Sequence, residues 1–185
     1  MIVYSPAKYL FSNVELKSRT QLEVLFDTAP LRDLMSELMP MQNPVVTKIE
    51  PEIAARLAKQ SYHLVGEHGG VKVCHWTKQS LVADRSCYKG TFYGIESHGC
   101  MQMAPNVDTC NLACTYCWRE PHSDTLTKID DDPYELFLQS VKAHRRLLTG
   151  FGGHPSVPRE KWLDAQDPKH VAISLNGEPT LYSRL

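Results

Sequence analysis

Apolar residues recur at helical spacing from Gln21 to Leu38 (QLEVLFDTAPLRDLMSEL), a run that Pro30 interrupts, and MPMQNPVV after it has linker character. PEIAARLAKQ (51–60) is a shorter amphipathic pattern whose Pro51 suits the first position of a helix. From His63 to Cys100 no period is sustained. This stretch is dotted with glycine and holds two basic–aromatic pieces, VKVCHWTK and SCYKGTFYG, so loops and short strands are expected. CMQMAP (100–105) is a candidate strand.

Asp132-Pro133-Tyr134-Glu135 then has the form of a helix start, with an Asp cap, Pro first and Glu third. Tyr134, Phe137, Leu138, Val141 and Leu148 make the apolar stripe expected of that helix, which should end near Gly150. Lys142-Ala-His-Arg-Arg146 reads as its solvated basic end, and GFGGHPSVPRE as loop. HVAISL (170–175) is a short β-branched run of the kind found in buried parallel strands, and it leads into NGEPT.

Strand, cysteine-bearing loop, helix, strand and glycine-containing loop together make a βαβ unit. Such a unit predicts a parallel sheet of the α/β class with its chemistry at the strand C-terminal ends. The chain divides into an extension of unknown role (1–50), a segment carrying three cysteines (51–100) and the βαβ region (101–185). It closes ten residues after the second strand. Two parallel strands with an empty edge do not make a stable sheet, so a longer protein is expected.

Composition changes this picture only through cysteine. With 185 residues and a formal net charge of −1, the chain is no generic polyanion binder, although a local basic face remains open. No run approaches the ~18–20 apolar residues of a membrane span, and the start lacks the pattern of a signal peptide. A cytoplasmic, reducing setting is expected, where cysteines are more often ligands than disulfides. All six cysteines fall between Cys74 and Cys117.

They divide by spacing into two sets. Cys110, Cys114 and Cys117 are tight; Cys74, Cys87 and Cys100 are loose. Structural zinc sites take four ligands and favour paired C-x-x-C knuckles. A four-iron cluster wants one thiolate per iron, so three thiolates leave one iron open for catalysis. A zinc site completed by a distant Cys or His remains an alternative for the tight set. For the loose set, three buried small hydrophobes are an equal alternative.

Cys110-x3-Cys114-x2-Cys117, with Tyr116 before the last cysteine, resembles the signature of the radical S-adenosylmethionine (SAM) enzymes. Gly177-Glu178-Pro179 resembles their GE motif. VKVCHWTK, CYKGTFYGIESHGCMQMAP, CTYCWR and HVAISLNGEPTLY closely resemble the 4-demethylwyosine synthases that act on tRNA, over roughly residues 55–185. Gly99 departs from the pattern, where a basic residue is expected before the third loose cysteine.

The resemblance implies a partial (β/α)6 radical SAM barrel, of which this chain holds the first βα units. It implies two [4Fe-4S] clusters, one on Cys110, Cys114 and Cys117 and a second on Cys74, Cys87 and Cys100. Tyr116 would flank the SAM adenine, and Ser174, Asn176, Gly177, Glu178 and Pro179 would line its amino-acid end. The implied reaction condenses N1-methylguanosine 37 of tRNA-Phe with two carbons of pyruvate, a carbon–carbon lyase-class chemistry. Pyruvate would be held by the open iron of the second cluster, by the amine of Lys89, or by both; the plain reading of Lys89 is a surface lysine beside Gly90. A flavodoxin- or ferredoxin-like electron donor and a monomeric state are also expected.

Trp118-Arg119 is a candidate shield or nucleic-acid contact, with a structural role equally open. His75 and His98 are candidate outer-shell donors to the thiolates. Two other readings compete: a radical SAM enzyme of different specificity, and a non-catalytic iron–sulfur or zinc module. The second block of cysteines argues against the first of these, and the GEPT turn with ligands in threes argues against the second.

Overall fold

A computed structural model describes residues 47–119 and 129–185, which belong to one compact unit. The periodic run 21–38 lies outside the described residues. PEIAARLAK forms helix α1 (Pro51–Lys59) with Pro51 in its first turn, and Ile53 and Leu57 are its buried side chains. Strands β1 (His63–Val65) and β2 (Gly69–Lys72) follow as an antiparallel hairpin.

The sheet order is β1-β2-β3-β4. β3 (Cys100–Ala104) lies antiparallel to β2 and parallel to β4 (His170–Ile173). The expected βαβ unit is therefore present, but its parallel strands do not stand alone, because the hairpin covers the other edge of β3. That corrects the empty-edge argument.

Between β2 and β3 the expectation of loops and short strands fails. VKVCHWTK and SCYKGTFYG instead supply helix α2 (His75–Ala83) and helix α3 (Tyr88–Tyr93), then a 3-10 turn at Ser97–Gly99. Neither helix shows an apolar stripe, and α3 buries none of its side chains. Helix α4 (Pro133–Leu148) starts as expected: the Asp132 carboxylate accepts from the Tyr134 and Glu135 N–H groups.

Its buried face is rotated from the predicted stripe. Leu136, Ser140, Ala143, His144 and Leu148 are buried, while Tyr134 is 64% exposed. Two polar residues belong to that face because each finds a carbonyl. The Ser140 hydroxyl donates to Leu136 O, and His144 Nε2 sits 3.3 Å from Ala165 O. Burial pushes the His144 imidazole down to about 4, so this member of the basic run is neutral and not part of a solvated end. GFGGHPSVPRE is also more ordered than expected. It forms a 3-10 turn (Thr149–Gly153) and opens helix α5 (Arg159–Ala165), which leads back to β4.

Register sets the two faces of the sheet. Val71, Met101, Met103 and Val171 share one face and pack with Leu136 and Ala143 of α4. Lys72, Gln102, Ala172 and Cys100 share the other. At one end of that second face, α1 packs on Leu64, Ala104, Val107 and Leu175.

Candidate functional site

The loose cysteines are held at the ends of secondary structure. Cys74 is the N-cap residue of α2, Cys87 that of α3, and Cys100 opens β3. The 27 residues from Cys74 to Cys100, which have no common period, thereby bring three thiols into one neighbourhood. Burial pushes the Cys100 thiol up, and the nearby Cys74 and Cys87 thiols push it further, while Lys89 opposes them. Burial would also raise Cys87, yet the Ser97 hydroxyl, the Gly90 and Lys89 N–H groups and the Lys89 ammonium together bring it below the ordinary thiol range.

Lys89 lies in the first turn of α3 and donates to Cys100 Sγ at 3.9 Å. The Ser97 hydroxyl donates to Cys87 Sγ at 3.5 Å and accepts from the Cys87 N–H at 3.1 Å. Six free thiols, none paired in a disulfide, fit a site for soft metal ions on donor chemistry. Cys87 and Cys100 are buried and Cys74 is half-buried, with the Lys89 ammonium beside Cys100.

His98 does not serve a thiol. Its Nε2 lies 2.8 Å from Asp164 Oδ2 on α5. Lys169 joins this network through Asp164 at 2.8 Å and Glu96 at 3.1 Å, and its backbone N–H donates to Gly99 O. Glu96, His98 and Asp164 have metal-ligand chemistry and proximity, but the Lys169 ammonium already pairs with both carboxylates. The alkyl chain of Lys169 lies over Gly99, 3.8–3.9 Å from where a Cβ would stand. A cation from elsewhere in the chain thus borders the position where a basic residue was expected. His75 meets the edge of Trp76.

The tight set sits on an irregular loop. Cys114 and Cys117 are exposed and Cys110 is half-buried. The Leu112 N–H points at Cys110 Sγ (3.4 Å), and the Cys117 N–H closes a turn onto Cys114 O at 3.0 Å. Tyr116 is 83% exposed beside them.

What orients this loop is its root. Asn106 is fully buried; its Oδ1 accepts from the Asp108 and Thr109 N–H groups, and its Nδ2 donates to Thr109 O and Glu178 O. Asn176, also buried, donates to Val107 O at 2.7 Å, and the Glu178 N–H donates to Thr109 O. Gly177 lies between them at φ +78°, and a Cβ there would stand 2.5 Å from Asn106 O. Only glycine fits both that angle and that approach. The GE turn and the base of the cysteine loop are therefore one clasped unit.

Asn176 Oδ1 and Thr109 Oγ1 are buried there and make no hydrogen bond within the described residues. Ser174 is exposed at the end of β4, where its carbonyl accepts from Arg119 Nη2 at 2.9 Å and from Gln102 Nε2 at 3.1 Å. Glu178 turns its carboxylate onto the Thr180 N–H and hydroxyl, capping the 3-10 turn that begins at Pro179. Beneath the loop, His68 Nδ1 bonds buried Asp108 at 3.0 Å, and that hydrogen bond raises the imidazole above its ordinary range. Asn106, Asn176's carbonyl partner Val107, and the His68–Asp108 pair carry no short motif, although N-x-D-T ahead of a cysteine loop is cap-forming chemistry.

Comparison with known proteins agrees with this arrangement, although no family model matches the sequence. The S-adenosyl-L-methionine-dependent tRNA 4-demethylwyosine synthase of Pyrococcus abyssi is 48% identical over 134 residues, covering 71% of this chain and 39% of that protein. The synthase of the same name in Methanocaldococcus jannaschii is 39% identical over 145 residues, 74% of this chain and 46% of that protein. A solved structure of TYW1 with a lysine–pyruvate adduct superposes at a TM-score of 0.63 with 40% identity, covering 72% of this chain and 44% of that one. A crystal structure of archaeal TYW1 gives 0.60 with 38% identity. The chain spans about two-fifths of the length of the Pyrococcus relatives it matches. Over about three-quarters of its own length, this chain is a homologue of the tRNA 4-demethylwyosine synthases.

Proposed function

We propose that this chain supplies the cofactor-binding core of an enzyme that condenses N1-methylguanosine 37 of tRNA-Phe with pyruvate to form 4-demethylwyosine. The observation that carries this reading is Lys89. Its ammonium stands 3.9 Å from Cys100 Sγ, inside a convergent three-thiol site, in a homologue of an enzyme solved with a lysine–pyruvate adduct.

In this reading residues 101–185 open a partial (β/α)6 barrel, and residues 51–100 add the second ligand set. Cys110, Cys114 and Cys117 hold one [4Fe-4S] cluster, and Cys74, Cys87 and Cys100 hold another. When bound, the first cluster with SAM supplies the one-electron chemistry that creates the hydrogen-abstracting radical. Ser174, Asn176 and Gly177–Pro179 receive the amino-acid end of SAM. Tyr116 covers the adenine.

The Lys89 amine attacks the keto carbon of pyruvate, and water leaves as the imine forms. That bond holds the substrate carbons beside the second ligand set and leaves a nitrogen that a nucleobase amine can displace. An electron donor of flavodoxin or ferredoxin type is required. Among the described residues, no helix is long and apolar enough to cross a membrane.

Borohydride reduction in the presence of labelled pyruvate tests this. Label on the protein that disappears in Lys89→Ala is the expected result. Equal labelling of both proteins would remove Lys89 from the reaction. Absence of label with intact iron would favour a radical SAM enzyme of other specificity.

A further inference from the structure

The sheet face opposite α4 carries two cations that no carboxylate among the described residues neutralises. Lys72 shares a row with Gln102 and Ala172, one row from Cys100. It is half-buried, and its Nζ lies 4.7 Å from the centroid of the Tyr62 ring.

Arg119 comes down from the tight cysteine loop to the same tyrosine. Its Nη1 donates to the Tyr62 hydroxyl at 3.3 Å and its Nη2 to Ser174 O at 2.9 Å, and its Cζ lies 4.2 Å from the Trp118 ring. Tyr62 is only 7% exposed, so it is a fixed post between the two charges. A lysine has three N–H donors and a guanidinium five, of which Arg119 uses two here. Two cations held against one tyrosine, with donors left over, are complementary to an oxyanion.

We propose that Lys72 and Arg119 form a phosphate subsite for the substrate nucleotide. This rests on the functional reading above, which brings three anionic groups to this face. Pyruvate is addressed by Lys89, and the amino-acid end of SAM by the GE turn. The nucleotide phosphate has no other cation assigned to it. Placed between Cys100 and Ser174, this pair anchors the backbone of a base drawn in between the two cysteine sets. The stacked Trp118 stiffens the Arg119 fork and leaves the ammonium of Lys72 to follow the phosphate.

Binding of guanosine and guanosine 5′-monophosphate to the anaerobically reconstituted chain, measured by calorimetry, separates the phosphate from the base. The monophosphate should bind about tenfold tighter, a preference that falls with salt. Lys72→Gln with Arg119→Gln should erase it, and Lys72→Arg should retain it. Equal affinity for the two ligands, a preference that survives in the double variant, or no measurable monophosphate binding would each overturn the subsite.

Pyruvate and SAM are run in parallel. If the double variant weakens one of those and leaves the monophosphate unchanged, the anion is a carboxylate and the nucleotide assignment fails. Borohydride trapping on the same samples reports on Lys89 separately. Loss of trapping with phosphate preference intact would sink the functional reading and leave the subsite standing.

Discussion

The two cysteine sets are held by opposite means. Cys74, Cys87 and Cys100 are far apart in sequence, and each is fixed by the end of a helix or strand. Cys110, Cys114 and Cys117 are close in sequence and stand on an exposed loop fixed at its root. In the first set the fold does the gathering, so the thiols are already partly buried. In the second the spacing does it, and the loop leaves Cys114 and Cys117 open to solvent. On the function proposed above, a ligand set that must admit SAM has reason to be exposed, and one that shelters a reactive carbonyl has reason to be buried.

The largest expected effect is on metal. Reconstituted chain should hold about eight irons, falling to about four in the Cys74/Cys87/Cys100→Ala triple variant, given four irons per cubane. A chelator should remove iron in two phases, the faster belonging to the exposed set. That phase should vanish in Cys110/Cys114/Cys117→Ala. A single phase in the intact protein would break the contrast drawn between the two sets, and zinc in place of iron would end the radical reading.

Next comes the clasp. Gly177→Ala places a Cβ against Asn106 O and demands φ near +78° of a residue that disfavours it. Strain and overpacking together should cost roughly 2–5 kcal/mol. Because Asn106 and Glu178 lie on both sides of this contact, the tight set should lose iron in this variant while the loose set keeps it. Chemical denaturation and iron counting on one sample check both halves. Equal loss from both sets would mean that Gly177 supports the fold generally.

How much of this was legible in advance follows from the same contrast. The tight set, the GE turn, the Asp132 cap and the strands at 100–104 and 170–173 rest on local chemistry, and local chemistry is what a sequence displays. Helix α3 has no buried side chain to impose a period, and α5 is a seven-residue helix beginning at a proline-rich turn. Both are defined by what they contact. The α4 face was misjudged because Ser140 and His144 are polar by type and buried by partnership. Asn106 could not be ranked above other asparagines, since its importance lies in four hydrogen bonds to a loop and a turn about 70 residues apart. Arg119 and Lys72 likewise became a pair only when Tyr62 was seen between them.

His144 gives a pH test that touches neither cysteine set directly. Its pKa of about 4 in the folded chain lies below the ~6.5 of an unfolded histidine. A depressed folded value means the unfolded chain binds the extra proton. Stability from this group is thus complete above pH 6.5 and is lost as pH falls toward 4. The loss should approach about 3 kcal/mol, and His144→Gln should flatten it. Denaturant midpoints at pH 7, 5.5 and 4.5 measure it. An unchanged slope in the variant would place the acid sensitivity elsewhere.

The smallest expected effect sharpens the comparison most. Ser97 makes two contacts with one cysteine: it accepts from the Cys87 N–H and donates to the Cys87 sulfur. Ser97→Ala leaves that N–H buried without a partner and removes a donor that stabilises the thiolate. A cost of about 1 kcal/mol in stability is expected, together with a rise in the Cys87 thiol pKa toward the value burial alone would set. The tight set has no equivalent side-chain donor among the described residues; Cys110 meets a backbone N–H. Alkylation rates across pH in the metal-free chain should therefore shift at Cys87 and stay unchanged at Cys114 and Cys117. If all the thiols shifted together, the distinction between a set tuned by its fold and a set left open by its loop would not hold.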